Sequence, residues 1–203
     1  MEIYRIPGGI LDANTYVVHV KDSDSAIVID PTDCDLLHSF MKSKGLHPIA
    51  ILLTHGHFDH TFGLVQAAKQ YGIPVYMHPS DLPMLSDPNL SGLHLFFPDA
   101  AFDPWHEITP LSDEQVLQLD DLTVQVLSTP GHSQGSVCYF IEDCLFTGDT
   151  LFNRGYGRTD LWGGSMRALL TSLERLKKLH TDTKVYPGHG GATTIGAEFR
   201  YRR

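Results

Sequence analysis

Short strand-like runs recur along this chain, and four of them are followed within five residues by a histidine or an aspartate that stands next to a glycine. The runs are rich in β-branched and aromatic residues and are separated by turn residues, a pattern typical of β-strands. They cover residues 15–20, 26–30, 49–53, 75–78, 116–119, 122–127, 137–141, 144–146 and 184–186. With 203 residues, the chain is expected to form one domain over residues 1–203.

Three helices are predicted, over residues 36–44, 60–71 and 165–180. The last has the clearest signals, because Ser165 can cap its first turn and leucines repeat at helical spacing behind it. Between residues 79 and 110, six prolines and scattered aromatics predict a long functional loop with short helical turns. This loop divides the chain into two halves of similar content, which suits two sheets with a helix layer on each.

The heptapeptide T-H-G-H-F-D-H follows the apolar run 49–53 directly. It offers three imidazoles and one carboxylate at a predicted strand-to-helix turn. Because the backbone changes direction sharply there, His55 and His57 can point one way. Asp59 and His60 can then point another. The segment predicts a site for two metal ions, or for one ion and a base.

Three more candidate ligands lie beyond the ends of later strands, each beside a glycine or a proline. They are His132 in T-P-G-H-S, Asp149 in T-G-D-T and His189 in P-G-H-G. Loops at strand ends are where sheet proteins build functional sites. Together with the heptapeptide they make seven nitrogen and oxygen ligands, a set that suits Zn, Fe or Mn. We expect the site to bind two divalent metal ions, with Zn preferred over Fe or Mn.

Composition excludes several classes of protein. The net charge of −9 repels nucleic-acid phosphates, so no nucleic-acid partner is expected. No apolar run reaches the roughly 18 residues that span a bilayer, and the N-terminus resembles no secretory signal. We therefore expect a cytoplasmic protein without a membrane partner. Cys34, Cys138 and Cys144 form no C-x-x-C pair, so free thiols in a reducing compartment are expected.

In their order along the chain, T-H-x-H-x-D-H, T-P-G-H-S, G-D-T and P-G-H-G resemble the motifs of the metallo-β-lactamase superfamily. The resemblance covers essentially the whole chain. It implies an α/β fold, an αβ/βα sandwich of two mixed β-sheets flanked by helices, with the site along one edge. It also implies which ligands share an ion: His55, His57 and His132 hold one, Asp59, His60 and His189 hold a second, and Asp149 bridges them with a water or hydroxide.

The flanking segments G-D-T-L-F and G-Y-G-R-T-D look like those of the glyoxalase II group, in particular a compact bacterial subtype of hydroxyacylglutathione hydrolase-like proteins. The tail with G-H-G, T-T-I-G and Glu198 looks similar too. This resemblance implies hydrolysis of a small-molecule thioester such as S-lactoylglutathione by a metal-bridging hydroxide. Asp59 would be the catalytic residue that orients the nucleophile and shuttles its proton.

The chain also departs from glyoxalase II at positions that bear on the substrate. Tyr156 stands where that group usually has a cysteine, and the group's basic C-terminal helical region has no counterpart here. We expect Tyr156 and Arg158 to contact substrate, with Arg158 either holding a carboxylate or pairing with Asp160. Glutathione would then be bound through few contacts, those of Arg158 and of the arginines of residues 200–203. Weak binding of this carrier is therefore expected. The loop aromatics Phe96 and Phe97 either line the substrate mouth or pack as core.

Other functions remain open at this point. G-R-T-D also looks like a motif of mononuclear iron persulfide dioxygenases, in which His55, His132 and Asp149 would form a two-histidine, one-carboxylate triad. A scaffold protein on this fold is a third class, although it has no need of seven ligands. The β-lactamases of the main zinc class have a cysteine where this chain has Asp149, which argues against antibiotic hydrolysis.

Overall fold

The computed structural model describes residues 1–200. Within them, a first six-stranded sheet contains, side by side in chain order, β1 (Glu2–Ile6), β2 (Thr15–His19), β3 (Ser25–Ile29), β4 (His47–Leu52), β5 (Val75–Met77) and β6 (Thr109–Pro110). The strands from β1 to β3 pair antiparallel, and those from β3 to β6 pair parallel. This sheet is therefore mixed, and its parallel part places the carboxyl ends of β3 and β4 at one edge.

A second six-stranded sheet contains β7 (Val116–Leu119), β8 (Leu122–Ser128), β9 (Val137–Ile141), β10 (Cys144–Gly148), β11 (Lys184–Pro187) and β12 (Thr193–Thr194), again side by side in chain order. The strands β10 and β11 pair parallel, whereas the other described neighbours pair antiparallel. The second sheet is thus mixed as well.

The six described helices are α1 (Cys34–Lys44), α2 (Phe58–Thr61), α3 (Leu64–Tyr71), α4 (Leu93–Phe96), α5 (Met166–Leu176) and α6 (Ile195–Phe199). The period-two alternation of the strands decides what each residue packs against. In β2, Tyr16 and Val18 join the core between the sheets, while Val17 joins the core under α1 and α3. A third apolar cluster packs α5 on the second sheet. The predicted αβ/βα sandwich of two mixed sheets flanked by helices is confirmed.

The predicted helix over residues 60–71 is wrong at its start, because the structure divides it into α2 and α3. The break falls at Gly63, whose amide donates to the carbonyl of Pro31 at 2.9 Å. A Cβ at this position would lie 2.7 Å from the Cys34 amide nitrogen. The close approach to the chain before α1 therefore ends the first helical turn.

The helix predicted over residues 165–180 begins as expected. Ser165 caps α5 by accepting a hydrogen bond from the Ala168 amide at 3.3 Å, although the helix ends at Leu176, earlier than predicted. The edge strands β1, β6 and β12 and the short helix α6 were not predicted. The two shortest of these strands have only two residues each, too few for a period-two pattern to be visible.

The segment over residues 79–110 is a long connection with short helical turns, as predicted. It contains a 3-10 turn at Pro79–Leu85, then α4, and reaches the first sheet at β6. Cys34, Cys138 and Cys144 are buried free thiols. Among the helices of residues 1–200, none combines the length and apolar character that crossing a bilayer requires.

Candidate metal centre

The seven predicted ligands lie together at one edge of the sandwich. The heptapeptide follows β4 and continues into α2, while His132, Asp149 and His189 follow β8, β10 and β11. Six of the seven are shielded from solvent, and the seventh, His189, keeps a side chain that is 26% exposed. The structure therefore brings together the seven candidate ligands that follow strand ends in the sequence.

A first group consists of His55, His57 and His132. The Nε2 atom of His132 lies 2.7 Å from Nδ1 of His57 and 3.2 Å from Nε2 of His55. Nitrogens that each bond one ion at about 2.0–2.1 Å stand roughly 2.9–3.4 Å apart. The separation between His132 and His55 lies in this range and that between His132 and His57 is slightly shorter, so the three nitrogens converge on one point.

A second group consists of Asp59, His60 and His189. The Nε2 atom of His189 lies 3.3 Å from Nε2 of His60 and 3.2 Å from Oδ2 of Asp59. The same Asp59 oxygen lies 3.7 Å from the His60 nitrogen. Two imidazole nitrogens and one carboxylate oxygen thus face a common point, a donor set that suits a divalent metal ion.

Asp149 stands between the two groups. Its Oδ2 atom is 3.5 Å from Nε2 of His132 in the first group and 3.5 Å from Nε2 of His189 in the second. Its Oδ1 atom is buried, lies 3.2 Å from Nε2 of His60, and forms no hydrogen bond within residues 1–200. A buried carboxylate oxygen without a hydrogen bond is costly. A cation held by these residues would satisfy it, so the donor set and its unsatisfied oxygen both fit a bound metal.

Backbone and carboxylate acceptors fix the tautomers of three ligating histidines. Nδ1 of His60 lies 2.9 Å from Oδ2 of Asp30, and Nδ1 of His132 lies 2.7 Å from the Arg158 carbonyl oxygen. Nδ1 of His55 lies 3.0 Å from the Thr54 hydroxyl, which itself donates to Asp30 at 2.6 Å. Because each Nδ1–H is engaged in this way, each Nε2 atom points into the site.

Comparison with known proteins decides the family. A family model of the metallo-β-lactamase superfamily matches residues 8–189. The chain belongs to the metallo-β-lactamase superfamily.

Relatives of this superfamily member include proteins of the same length. A probable metallo-hydrolase of Bacillus subtilis is 37% identical, with 98% of this chain and 94% of the relative covered. An uncharacterized protein of Mycobacterium leprae is 41% identical, with 99% and 97% covered. A hydroxyacylglutathione hydrolase of Nitrosomonas eutropha is 33% identical, and the match covers 87% of this chain but 61% of that enzyme.

Solved structures give the same fold. The BLEG-1 B3 metallo-β-lactamase superposes with a TM-score of 0.93 at 38% identity, covering 98% of this chain and 97% of that one. TTHA1623 in a di-iron-bound form gives 0.86 at 37% identity, with 97% of both chains covered. ETHE1 from Myxococcus xanthus gives 0.79 at 26% identity, with 99% and 83% covered. One matching structure is named as a β-lactamase and one matching sequence as a hydroxyacylglutathione hydrolase, so the family alone does not assign a substrate.

Burial and neighbouring charges set different pKa values in the two ligand groups of this superfamily member. Burial, reinforced by nearby histidines, lowers the pKa of His55 well below its usual range, and burial with His132 lowers the pKa of His57 to about 3. Burial would also lower the pKa of His60, but Asp149 and Asp59 outweigh it and raise that pKa well above the usual range. His55 and His57 are therefore ready to bind a cation at neutral pH, whereas a cation must displace a proton at His60.

The two acids of the centre are ionised at neutral pH. Burial alone would raise the pKa of Asp59 and of Asp149, but His60 and the other histidines around them together outweigh burial and lower the pKa of both. Burial would lower the pKa of His189, yet its hydrogen bond with Asp59 and the charges of Asp149 and Asp59 together raise it. Both carboxylates are thus available as anionic ligands.

Two supporting aspartates escaped the sequence analysis. Asp30, buried, closes the predicted run 26–30, so the strand-end signal used for the other ligands could have found it. Asp81, also buried, lies in the 3-10 turn of the long loop, where no pattern marked it. Its carboxylate accepts from the amides of Gly56 at 3.1 Å and Gly135 at 2.6 Å, and from the Ser133 hydroxyl at 2.5 Å. Asp81 therefore ties the loop after β4 to the loop after β8.

The predicted substrate residues differ in their placement. A cavity of about 320 Å³ opens over the ligands, and Arg158 is part of its lining. The Arg158 guanidinium also makes two hydrogen bonds of 2.7 Å to Asp160, so the predicted pairing is present. Tyr156 is 43% exposed and is not part of this lining, so its contact with substrate stays a prediction. Arg200 is not part of this lining either, so its contact with substrate also stays a prediction. Arg202 and Arg203 lie outside the described residues.

Gly188 lets the loop after β11 pass close to the centre. A Cβ at this position would come within 3.0 Å of both Oδ1 of Asp149 and Cε1 of His60. We expect Gly188→Ala to displace these side chains, reduce the metal content per chain and lower catalytic activity about 100-fold, since misplacement by about 1 Å costs that much in rate. Gly191→Ala is the matched control, because a Cβ there meets nothing within 4 Å. Equal metal content and activity in the two variants would contradict the prediction.

Proposed function

We propose that this protein is a metal-dependent hydrolase of thioesters, of which S-lactoylglutathione is an example. The observation that carries the proposal is Asp149, whose carboxylate lies between two complete three-ligand groups. A centre with two adjacent cation sites is the arrangement used by hydrolases that place a water and a carbonyl group on neighbouring ions. The similarity to a probable metallo-hydrolase and to a hydroxyacylglutathione hydrolase supports the same reaction class.

The first ion would be held by His55, His57 and His132, and the second by Asp59, His60 and His189, with Asp149 shared. We propose that the centre binds two divalent ions and that zinc is preferred over iron or manganese. The di-iron form of TTHA1623 supports iron as the alternative. When bound, such ions lower the pKa of a coordinated water and polarise a carbonyl oxygen.

The protein's own residues orient the attacking water and accept its proton. Oδ2 of Asp59 lies at the rim of the second group, 3.2 Å from His189, where it can accept a proton from the attacking water. Its lowered pKa keeps it ionised, so it can accept a hydrogen bond from the attacking water and orient it. A thiolate is a good leaving group, because the pKa of a thiol is only about 8.5, and no strong general acid is required.

A mononuclear iron persulfide dioxygenase is the second candidate, because the segment G-R-T-D looks like a motif of that group. It would use His55, His132 and Asp149 as its three ligands. Such a site would not use the second group, which contains the buried His60 and the ionised Asp59. The complete second group therefore favours hydrolysis.

The test measures thiol release from S-lactoylglutathione under argon, together with the metal content of protein purified without chelator. Hydrolysis needs water alone, so we expect release without O₂ and about two metals per chain. An untouched thioester, O₂ uptake with glutathione persulfide and about one iron per chain would establish the dioxygenase instead. A chromogenic cephalosporin belongs in the same assay, because a 38% identical structure is described as a B3 metallo-β-lactamase. Its turnover in place of the thioester would reject the proposal.

A further inference from the structure

A second cavity, which we call the apolar cavity, adjoins the cavity over the metal ligands. It has a volume of about 460 Å³, and its wall is built from the segment at α4 and from two earlier parts of the chain. Its main lining residues are Ile10, Phe62, Leu93, Phe96, Phe97 and Pro98. A volume of this size is typical of ligand pockets.

The two cavities share a wall. Phe96 lines both of them, and the neighbours Ile10 and Leu11 line one each. The Phe58 ring, which also lines the metal cavity, lies with its centroid 5.6 Å from that of Phe96 and 6.0 Å from that of Phe97. Phe58 stands in the chain between the ligands His57 and Asp59. An apolar surface therefore runs without a break from the metal ligands into the apolar cavity.

This surface is open to solvent in the structure. Leu11, Phe62, Phe96 and Phe97 are between 40% and 53% exposed. Contiguous exposed apolar surface marks a binding site, because leaving it in water is unfavourable. Its position beside the reacting centre points to part of the substrate as its occupant.

Charge decides which part of the substrate the cavity suits. Among its lining residues within the described chain, Asp99 is the one charged group, so the cavity offers no cation to a carboxylate. The cationic Arg158 lies in the lining of the metal cavity instead, with Asp160 bound to it. A doubly carboxylated carrier such as glutathione is therefore a poor occupant of the apolar cavity, whereas an uncharged hydrocarbon chain fits it.

We propose that the apolar cavity binds the acyl chain of the substrate, and that the substrates are thioesters of medium-chain fatty acids. The proposal rests on the function proposed above. The carbonyl group lies in the metal cavity and the chain passes Phe96 into the apolar cavity. The oxygen of water bonds to the carbonyl carbon, the carbon–sulfur bond breaks, and the products are a carboxylate, a thiol and one proton.

The test compares acetyl, butyryl and hexanoyl thioesters of N-acetylcysteamine, a short neutral thiol. Burial of each methylene is expected to raise kcat/KM about fourfold, so the hexanoyl ester should exceed the acetyl ester by on the order of 100-fold. Phe62→Ser should lower this hexanoyl-to-acetyl ratio about tenfold or more, and Phe97→Ser provides a second variant at the same wall. Leu170→Ser is the matched control, because Leu170 is as exposed as Phe62, at 52% against 53%, and lies on α5 outside the lining. The control should keep the wild-type ratio.

A binding measurement separates this proposal from the proposed function. Ketone analogues, in which a methylene replaces the thioester sulfur, are titrated by calorimetry. If no thioester is cleaved but affinity rises with chain length and falls in Phe62→Ser, the hydrolase proposal fails and the acyl site stands. If thioesters are cleaved at rates independent of chain length, the acyl site is rejected and the hydrolase stands. A sedimentation coefficient that falls in Phe62→Ser, with an unchanged chain-length ratio, would show a contact between copies and would likewise overturn the acyl site.

Discussion

Asp149→Ala is expected to lower kcat/KM for thioester hydrolysis about 1,000-fold or more and to remove at least one metal ion per chain. The variant loses the carboxylate that lies 3.5 Å from a histidine of each ligand group. It also leaves the proton on His60 less stabilised, since Asp149 is the strongest of the charges that raise the pKa of this residue. Metal ions contribute several kcal/mol to stabilising a transition state, and about 4 kcal/mol corresponds to a thousandfold in rate.

Elemental analysis and steady-state kinetics on the same preparation check this expectation. Asp143→Ala is the control, because Asp143 is an exposed aspartate that pairs with Lys184 at 3.0 Å on the surface. It should retain wild-type metal content and turnover. Two metals per chain together with wild-type turnover in Asp149→Ala would refute the bridging role and, with it, the observation on which the proposed function depends.

The ligands could be predicted from the sequence because each follows a strand. Residues just beyond β4, β8, β10 and β11 reach the same edge once the strands are paired, whatever the details of the loops. His132 and His189 are 57 residues apart in the chain, and a single histidine in a loop is by itself a weak indication of a metal ligand. Their common position relative to a strand, more than their residue type, made them part of one site.

The supporting residues could not be predicted in the same way. Asp30 has a φ of 52°, a left-handed conformation at the end of β3 that directs its carboxylate to Thr54 and His60. An aspartate at the end of an apolar run gives no sign of that turn. Asp81 is further hidden, because its partners Ser133 and Gly135 lie 52 and 54 residues away. Hydrogen bonds of this range depend on the packing of the two sheets, which a local pattern does not describe.

The residues that line the apolar cavity could not be predicted from the sequence either. Phe96 and Phe97 could equally line a mouth or pack as core, since an aromatic residue in a proline-rich loop fits both. The structure makes both part of the apolar cavity and leaves each about 40% exposed. What decided the matter was the position of α4 opposite Phe58, a tertiary contact between segments almost 40 residues apart.

Asp81→Ala is expected to destabilise the fold by about 3–5 kcal/mol and to lower the melting temperature by roughly 10 °C. Three donors lose their acceptor at once, the amides of Gly56 and Gly135 and the hydroxyl of Ser133, and each unsatisfied buried donor costs about 1–3 kcal/mol. Because the Ser133 hydroxyl retains its contact with the Ser136 hydroxyl at 2.7 Å, the expected loss of stability is below the maximum for three unsatisfied donors.

The same substitution should weaken metal binding, because Gly56 separates the ligands His55 and His57, and Ser133 follows the ligand His132. Thermal unfolding is measured with and without added Zn²⁺, and the free energy of metal binding appears as the difference between the two. Asp121→Ala, in the exposed turn between β7 and β8, is the control and should change neither quantity by more than about 0.5 kcal/mol. If Asp81→Ala unfolds at the wild-type temperature and gains the wild-type stabilisation from Zn²⁺, the Asp81 carboxylate does not hold the two ligand loops together.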